Sequence, residues 1–265
     1  MSQQSQHPAL PNRNMQNGVI VEICVESLQL SVASERGGAH RIELCSDLSI
    51  GGTTPSARLM KDVRRKLSIP IHVLIRPRAG DFAYSDPEFE AMKRDIGIIQ
   101  EIGMDGIVLG LLDEKQHIDV NRTRSLVDLA HPLPVTFHRA FDLCARPTAS
   151  LQAVIDTGAR RLLTSGGKAK ATDGLASLAR LVEAAEDRIV IMPGGGIRAS
   201  NVKRILQQTG ANEIHTSLGT TRRRANGTSN IGAETLGLGS RSAGEFEVRV
   251  SKFRRLTDTF SASKS

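Results

Sequence analysis

The chain has 265 residues, and its 39% hydrophobic content is enough for a continuous core in one large α/β domain. Its +7 formal charge is spread over separate clusters (Arg64–Lys66, Arg160–Arg161, Lys203–Arg204, Arg222–Arg224), and there are seven Phe, one Tyr and no Trp. That scatter and scarcity argue against a stacking platform for nucleic acid. No apolar run approaches a membrane span, and three cysteines, an odd number, argue against a disulfide framework and for a reducing, cytoplasmic setting.

Residues 1–17, rich in Gln, Asn, Ser and Pro, predict a disordered lead-in, leaving 18–265 as a single domain. From there, apolar runs predict strands at 19–25, 40–45, 70–76, 105–109, 133–138, 160–164, 188–192 and 212–216. Helices are predicted between them near 27–37, 56–67, 87–103, 120–131, 148–158, 174–186 and 198–209. Ser27, Asp86, Asp119 and Asp173 stand as N-caps, and Gly37, Gly103, Gly158 and Gly210 as helix stops. Eight strand-then-helix units predict a parallel (β/α)8 TIM barrel, whose active face is the C-terminal end of the strands. A long connection at 217–244 delays the last helix and is placed to act as a lid. Phe246, Val248 and Val250 then alternate, and Phe253, Leu256 and Phe260 mark one side of the final helix.

The first two strands carry the same phrase, Val21-Glu22-Ile23-Cys24 and Ile42-Glu43-Leu44-Cys45. Spacing of two puts each carboxylate and thiol on one strand face. Cys24 and Cys45 are expected at equivalent positions of adjacent strands, roughly 5 Å apart at the backbone. Two thiolates there suit Cu(I), though each cysteine alone also reads as a small buried apolar residue. Cys144 reads as a solvent-facing bystander.

The other strand ends contribute Arg76, Gly110, His138, Thr164 and His215, with glycine-rich turns at Thr164–Gly167 and Pro193–Ile197. Glu22, Glu43 and His138 are candidates for general acid or base, and His215 for a binding role. Arg76, Thr164 and the amides of Gly194, Gly195 and Gly196 are candidates for holding an anion. A competing reading makes Glu22, Glu43 and Arg76 a buried ion-pair network that only supports the barrel. His72, earlier in its strand, reads as a core histidine. No lysine lies at a strand end, so Schiff-base chemistry has no evident nucleophile.

Beyond these residues, the strings VEICVES (21–27), GGAHRIELCSDLSIGGTTPS (37–56), IPIHVLIRPRAGDFAYSD (69–86), GIVLG (106–110), PLPVTFHRAFD (132–142), RLLTSGG (161–167), IMPGGGI (191–197) and EIHTS (213–217) occur in order. In these the chain resembles the CutC family of copper homeostasis proteins across residues 19–262. The resemblance implies a TIM barrel, a cytoplasmic homodimer and a Cu(I) site on Cys24 and Cys45. The alternative left open by the polar strand ends is a metal-independent isomerase or lyase of a small anionic, possibly phosphorylated, metabolite.

Overall fold

The computed structural model describes residues 18–218 and 240–262. The lead-in (1–17), the Arg222–Arg224 cluster and most of the connection expected to act as a lid lie outside the described residues.

Eight parallel strands run in order around a nearly closed barrel: β1 (Ile20–Val25), β2 (Arg41–Leu44), β3 (Ile71–Leu74), β4 (Gly106–Leu109), β5 (Val135–Phe137), β6 (Arg161–Thr164), β7 (Val190–Pro193) and β8 (Glu213–Thr216). Hydrogen-bonded ladders join every neighbouring pair from β8 through β1 to β7, and β7 meets β8 without a ladder. The helices α1 (Leu28–Arg36), α2 (Ala57–Arg64), α3 (Asp86–Ile102), α4 (Val120–Ala130), α5 (Pro147–Asp156), α6 (Leu175–Ala185), α7 (Val202–Thr209) and α8 (Ser240–Ala262) alternate with them. Strands covered on both faces need apolar residues at nearly every position, which is why they read as continuous runs.

Local signals place the ends. Ser27 caps α1 by accepting from the Leu30 amide, and Asp119 caps α4 by accepting from Arg122. Asp86 is not a cap: Ser85 and Glu88 form a reciprocal capping box, and Asp86 sits in the first turn beside Pro87. Asp173 is not one either, because it ends a short 3-10 turn and Gly174 starts α6. Gly37 follows α1 with right-handed backbone, so its role is spatial: an added Cβ would stand 2.5 Å from the Val250 Cβ of α8.

The alternating Phe246, Val248 and Val250 belong to α8 itself. Phe246, Val250, Phe253 and Phe260 are buried against the barrel while Val248 is 65% exposed, a helical spacing of three and four that overrides the period of two. Cys144 is also corrected: it is buried in an apolar cluster with Phe137, Phe141 and Leu151, behind the sheet.

Two glycines bracket β4, and each leaves room for an imidazole from a neighbouring strand. A Cβ on Gly106 would lie 2.4 Å from His72 Cδ2, and one on Gly110 would lie 2.4 Å from His138 Nδ1. The fold thereby admits two ring systems into a layer that aliphatic side chains would otherwise close.

Candidate metal centre

A column of polar side chains fills the barrel from the starts of the strands to their ends. At the lower end the Arg41 guanidinium bonds Glu22 Oε2 through Nε at 2.5 Å and Glu213 Oε2 through Nη2 at 2.8 Å. Arg161 Nε also donates to Glu213 Oε2, at 2.8 Å. Burial opposes the charge on Arg41, but Glu22 and Glu213 outweigh it and raise its pKa. Likewise burial disfavours the Glu22 carboxylate, yet Arg41 and the His215 hydrogen bond hold it well below the usual range.

Midway, Glu22 Oε1 and His215 Nδ1 are 2.8 Å apart. His215 is raised well above its ordinary value: burial acts against the imidazolium, and Glu43, Cys24 and Glu22 together overcome it. Glu43 is pushed up to about 6 by burial, with His215 opposing and Glu22 reinforcing.

At the upper end Cys24 Sγ lies 3.6 Å from Glu43 Oε1 and 3.6 Å from Cys45 Sγ. The expected pairing of the thiols was off by two residues: Cys24 stands opposite Glu43 in the ladder, as Glu22 stands opposite Arg41. Barrel closure staggers adjacent strands, so the repeated phrase is displaced along the axis, and the thiols meet diagonally. The Cys45 amide donates to Val25 O at 3.0 Å, which holds it just beyond β2. The Cys24 pKa is raised well above 9.0 by the hydrogen bond with Cys45, burial and the charges of Cys45 and Glu43. Cys45 is also raised: its bond with Cys24 works the other way, and burial with Glu43, Glu26 and Asp47 prevails. A thiophilic ion entering here must displace thiol protons, and the paired sulfurs are the donors such an ion prefers.

The remaining candidates lie elsewhere on the C-terminal face. Arg76 does not join Glu22 and Glu43 in an ion-pair network. Its guanidinium donates to the carbonyls of Ile50 (3.0 Å), Gly52 (2.9 Å) and Gly80 (2.9 Å) and stacks 5.0 Å over Phe82. It thus latches two loops together. His138 Nδ1 accepts from the Ala140 amide at 3.3 Å, and its buried Nε2 has no hydrogen-bond partner. Burial and the Arg76 charge pull its pKa down to about 3, so the ring is neutral with its proton on Nε2. Its unpartnered Nε2–H is placed to donate a hydrogen bond.

Thr164 Oγ1 donates to Asp142 Oδ1 at 2.6 Å and accepts from Gly166 N. The anion position of that first glycine turn is filled from within: the Asp142 carboxylate accepts from the amides of Ser165 (3.1 Å) and Gly167 (3.0 Å), and Arg139 Nε donates to it at 2.8 Å. In the second turn the Gly194 amide donates to Thr164 O at 2.9 Å. Gly195 and Gly196, with φ of 94° and 68°, pass close to Arg139 and Lys170.

Five residues of these networks were not singled out beforehand: Arg41, Arg161, Glu213, Arg139 and Asp142. Strand parity carries a signal for two of them, since Arg41 shares the face of Glu43 and Cys45, and Glu213 that of His215.

Comparison with known proteins agrees with this geometry. Residues 19–220 match the CutC family. A copper homeostasis protein cutC homolog of Homo sapiens is 51% identical over 206 residues, 78% of this chain and 76% of that protein. A family protein CutC of Chromobacterium violaceum is 48% identical over 198 residues, 75% and 80% of the two chains. The crystal structure of CutC from Streptococcus agalactiae superposes with a TM-score of 0.72 at 34% identity, covering 75% of this chain and 98% of that one. The eight-stranded barrel, the repeated carboxylate–thiol phrase on its first two strands and these matches together show that the chain belongs to the CutC family.

Proposed function

We propose that this protein binds Cu(I) through Cys24 and Cys45 at the C-terminal face of its barrel, and that it serves copper homeostasis in the cytoplasm. The observation that carries the reading is the pair of buried Sγ atoms 3.6 Å apart, one in β1 and one just beyond the end of β2. The names of relatives such as the human copper homeostasis protein cutC homolog point the same way. Thiolate is the preferred ligand of Cu(I), and a buried pair shields it from exchange with solvent. Residues 18–265 act as the copper-binding unit, 1–17 as a lead-in, and the protein as a homodimer, which sedimentation at increasing concentration tests. No helix among the described residues is long and apolar enough to cross a membrane. A Cu(I) titration of the reduced protein against a competing chelator, beside a Cys24→Ser/Cys45→Ser variant, tests the site. Loss of affinity in the variant supports it, and equal affinity refutes it.

A second reading, an isomerase or lyase of a small anionic metabolite, is favoured by one observation: the unpartnered Nε2 of His138 in a buried position beside the Arg76 charge. An N–H held in that field suits a substrate oxygen, with Gly195 and Gly196 amides toward an anionic group and Glu22 or Glu43 moving a proton. Arg76 would act through its field, since carbonyls occupy its terminal nitrogens. A thermal-shift screen of sugar phosphates and carboxylic acids tests it: a stabilising hit lost in His138→Asn supports the enzyme, and no hit counts against it.

A further inference from the structure

We propose that Cys24, Glu43 and His215 form a mixed sulfur, oxygen and nitrogen site for a borderline divalent cation such as Zn2+, with one coordination position open. The inference deepens the copper reading in that both use Cys24, but it does not require Cys45. Each of the three residues offers a ligand atom, and these atoms lie within 4.8 Å of one another. Tetrahedral bonds of about 2.0–2.3 Å place donors roughly 3.3–3.8 Å apart. The Cys24 Sγ to Glu43 Oε1 separation of 3.6 Å already falls in that interval.

Two further observations point to an ion. The first is the support behind His215. Its Nδ1 is 2.8 Å from Glu22 Oε1, and Glu22 is in turn held by Arg41 at 2.5 Å. A carboxylate on one ring nitrogen fixes the proton there, orients the ring and leaves Nε2, once deprotonated, with the lone pair, as behind most metal-bound histidines. The second is Glu43 Oε2, which is buried and has no hydrogen-bond partner. His215 Nδ1, at 3.7 Å, is too far to serve it. A buried carboxylate oxygen without a donor is costly, and a cation bound between these residues supplies what the chain does not.

Charge and stoichiometry agree. One thiolate and one carboxylate balance a divalent ion once the His215 imidazolium has given up its Nε2 proton, and the Glu22 charge is already met by Arg41. As the metal binds, the Cys24 S–H proton and the Nε2 proton of the His215 imidazolium both leave to solvent, so binding releases two protons and needs no oxidant. Three protein ligands with a vacant fourth position is the pattern of zinc sites that carry a water or a substrate, not of closed structural sites.

The test loads the reduced full-length protein with Co2+ and follows its visible and near-ultraviolet absorption, with Zn2+ as competitor. The wild type is expected to develop thiolate-to-cobalt charge transfer that Zn2+ abolishes. Cys24→Ser should remove that band, and His215→Asn and Glu43→Gln should weaken binding at least tenfold, while Cys45→Ser stays within about twofold and loses Cu(I) affinity instead. Zinc K-edge absorption on the loaded wild type needs no variant: one sulfur with two or three lighter scatterers is expected. Two sulfurs, none, or no stoichiometric uptake overturns the proposal. If Cu(I) binding proves independent of both cysteines while Co2+ binding follows these three residues, the copper reading alone fails. The reverse pattern removes only the mixed site.

Discussion

The two ends of the polar column differ in how their charges are met. At the lower end both oxygens of Glu22 are bonded, one to Arg41 and one to His215, and two arginines converge on Glu213. At the upper end Glu43 faces two thiols with no arginine or lysine beside it, and one of its oxygens has no partner. The carboxylates of the lower end are met by arginine, although Arg161 Nη1 and His72 Nδ1 are buried without a hydrogen-bond partner, and this end acts as a scaffold. The upper end gathers sulfur, oxygen and nitrogen donors, its nearest cation is the His215 imidazolium 3.7 Å from Glu43 Oε2, and the proposed ion would sit among these groups. Glu22 belongs to both, because it joins the scaffold to His215.

Among single substitutions, breaking the lower end should have the largest effect. Arg41→Ala leaves two buried carboxylates without their shared partner and should cost about 3–5 kcal/mol of stability, measured by urea unfolding. A loss below about 1 kcal/mol would show that the scaffold is not held by this charge. Acid should come next, through His72 and His138, both pulled down to about 3, the first by burial and Arg41, the second by burial and Arg76. Each ring stays neutral in the fold down to that pH, whereas the unfolded chain takes up its proton below the ordinary 6.5. The unfolded state therefore binds more protons in that window: stability is full above about pH 6.5 and drains as pH falls toward 3, by about 1.4 kcal/mol per pH unit for each ring. His138→Asn should flatten that slope by one proton, and an unchanged slope would contradict the neutral assignment.

Gly110→Ala drives a methyl group to within 2.4 Å of the His138 ring and should cost about 1–3 kcal/mol as the imidazole is displaced. A thermal melt of the variant checks this. The smallest effect is expected at the upper end. Glu43→Gln removes a carboxylate that gains little from its surroundings, and should shift stability by no more than about 1 kcal/mol in either direction. A loss as large as that of Arg41→Ala would erase the distinction between scaffold and metal end.

Much of this was legible in the sequence because the barrel writes itself locally. Each strand is a short apolar run, and parity alone sends Glu22, Cys24, Glu43, Cys45 and His215 toward one interior. What was not legible depends on relations between distant segments. The stagger of β1 against β2 decides that Glu22 meets Arg41 and Cys24 meets Glu43, and no single strand contains that information. Arg76 resembled an anion clamp until its carbonyl partners in two loops were visible, and the Thr164 turn an anion site until Asp142 proved to occupy it. In α8 a local alternation of Phe246, Val248 and Val250 was overruled by packing against Gly37.

The central claim, that the upper end holds copper through sulfur, is tested most directly by copper K-edge absorption on the Cu(I)-loaded protein. Two sulfur scatterers in the wild type, absent from Cys24→Ser/Cys45→Ser and retained in Arg76→Ala, is the predicted result. Copper bound only by nitrogen or oxygen, or a spectrum unchanged in the double variant, would contradict it.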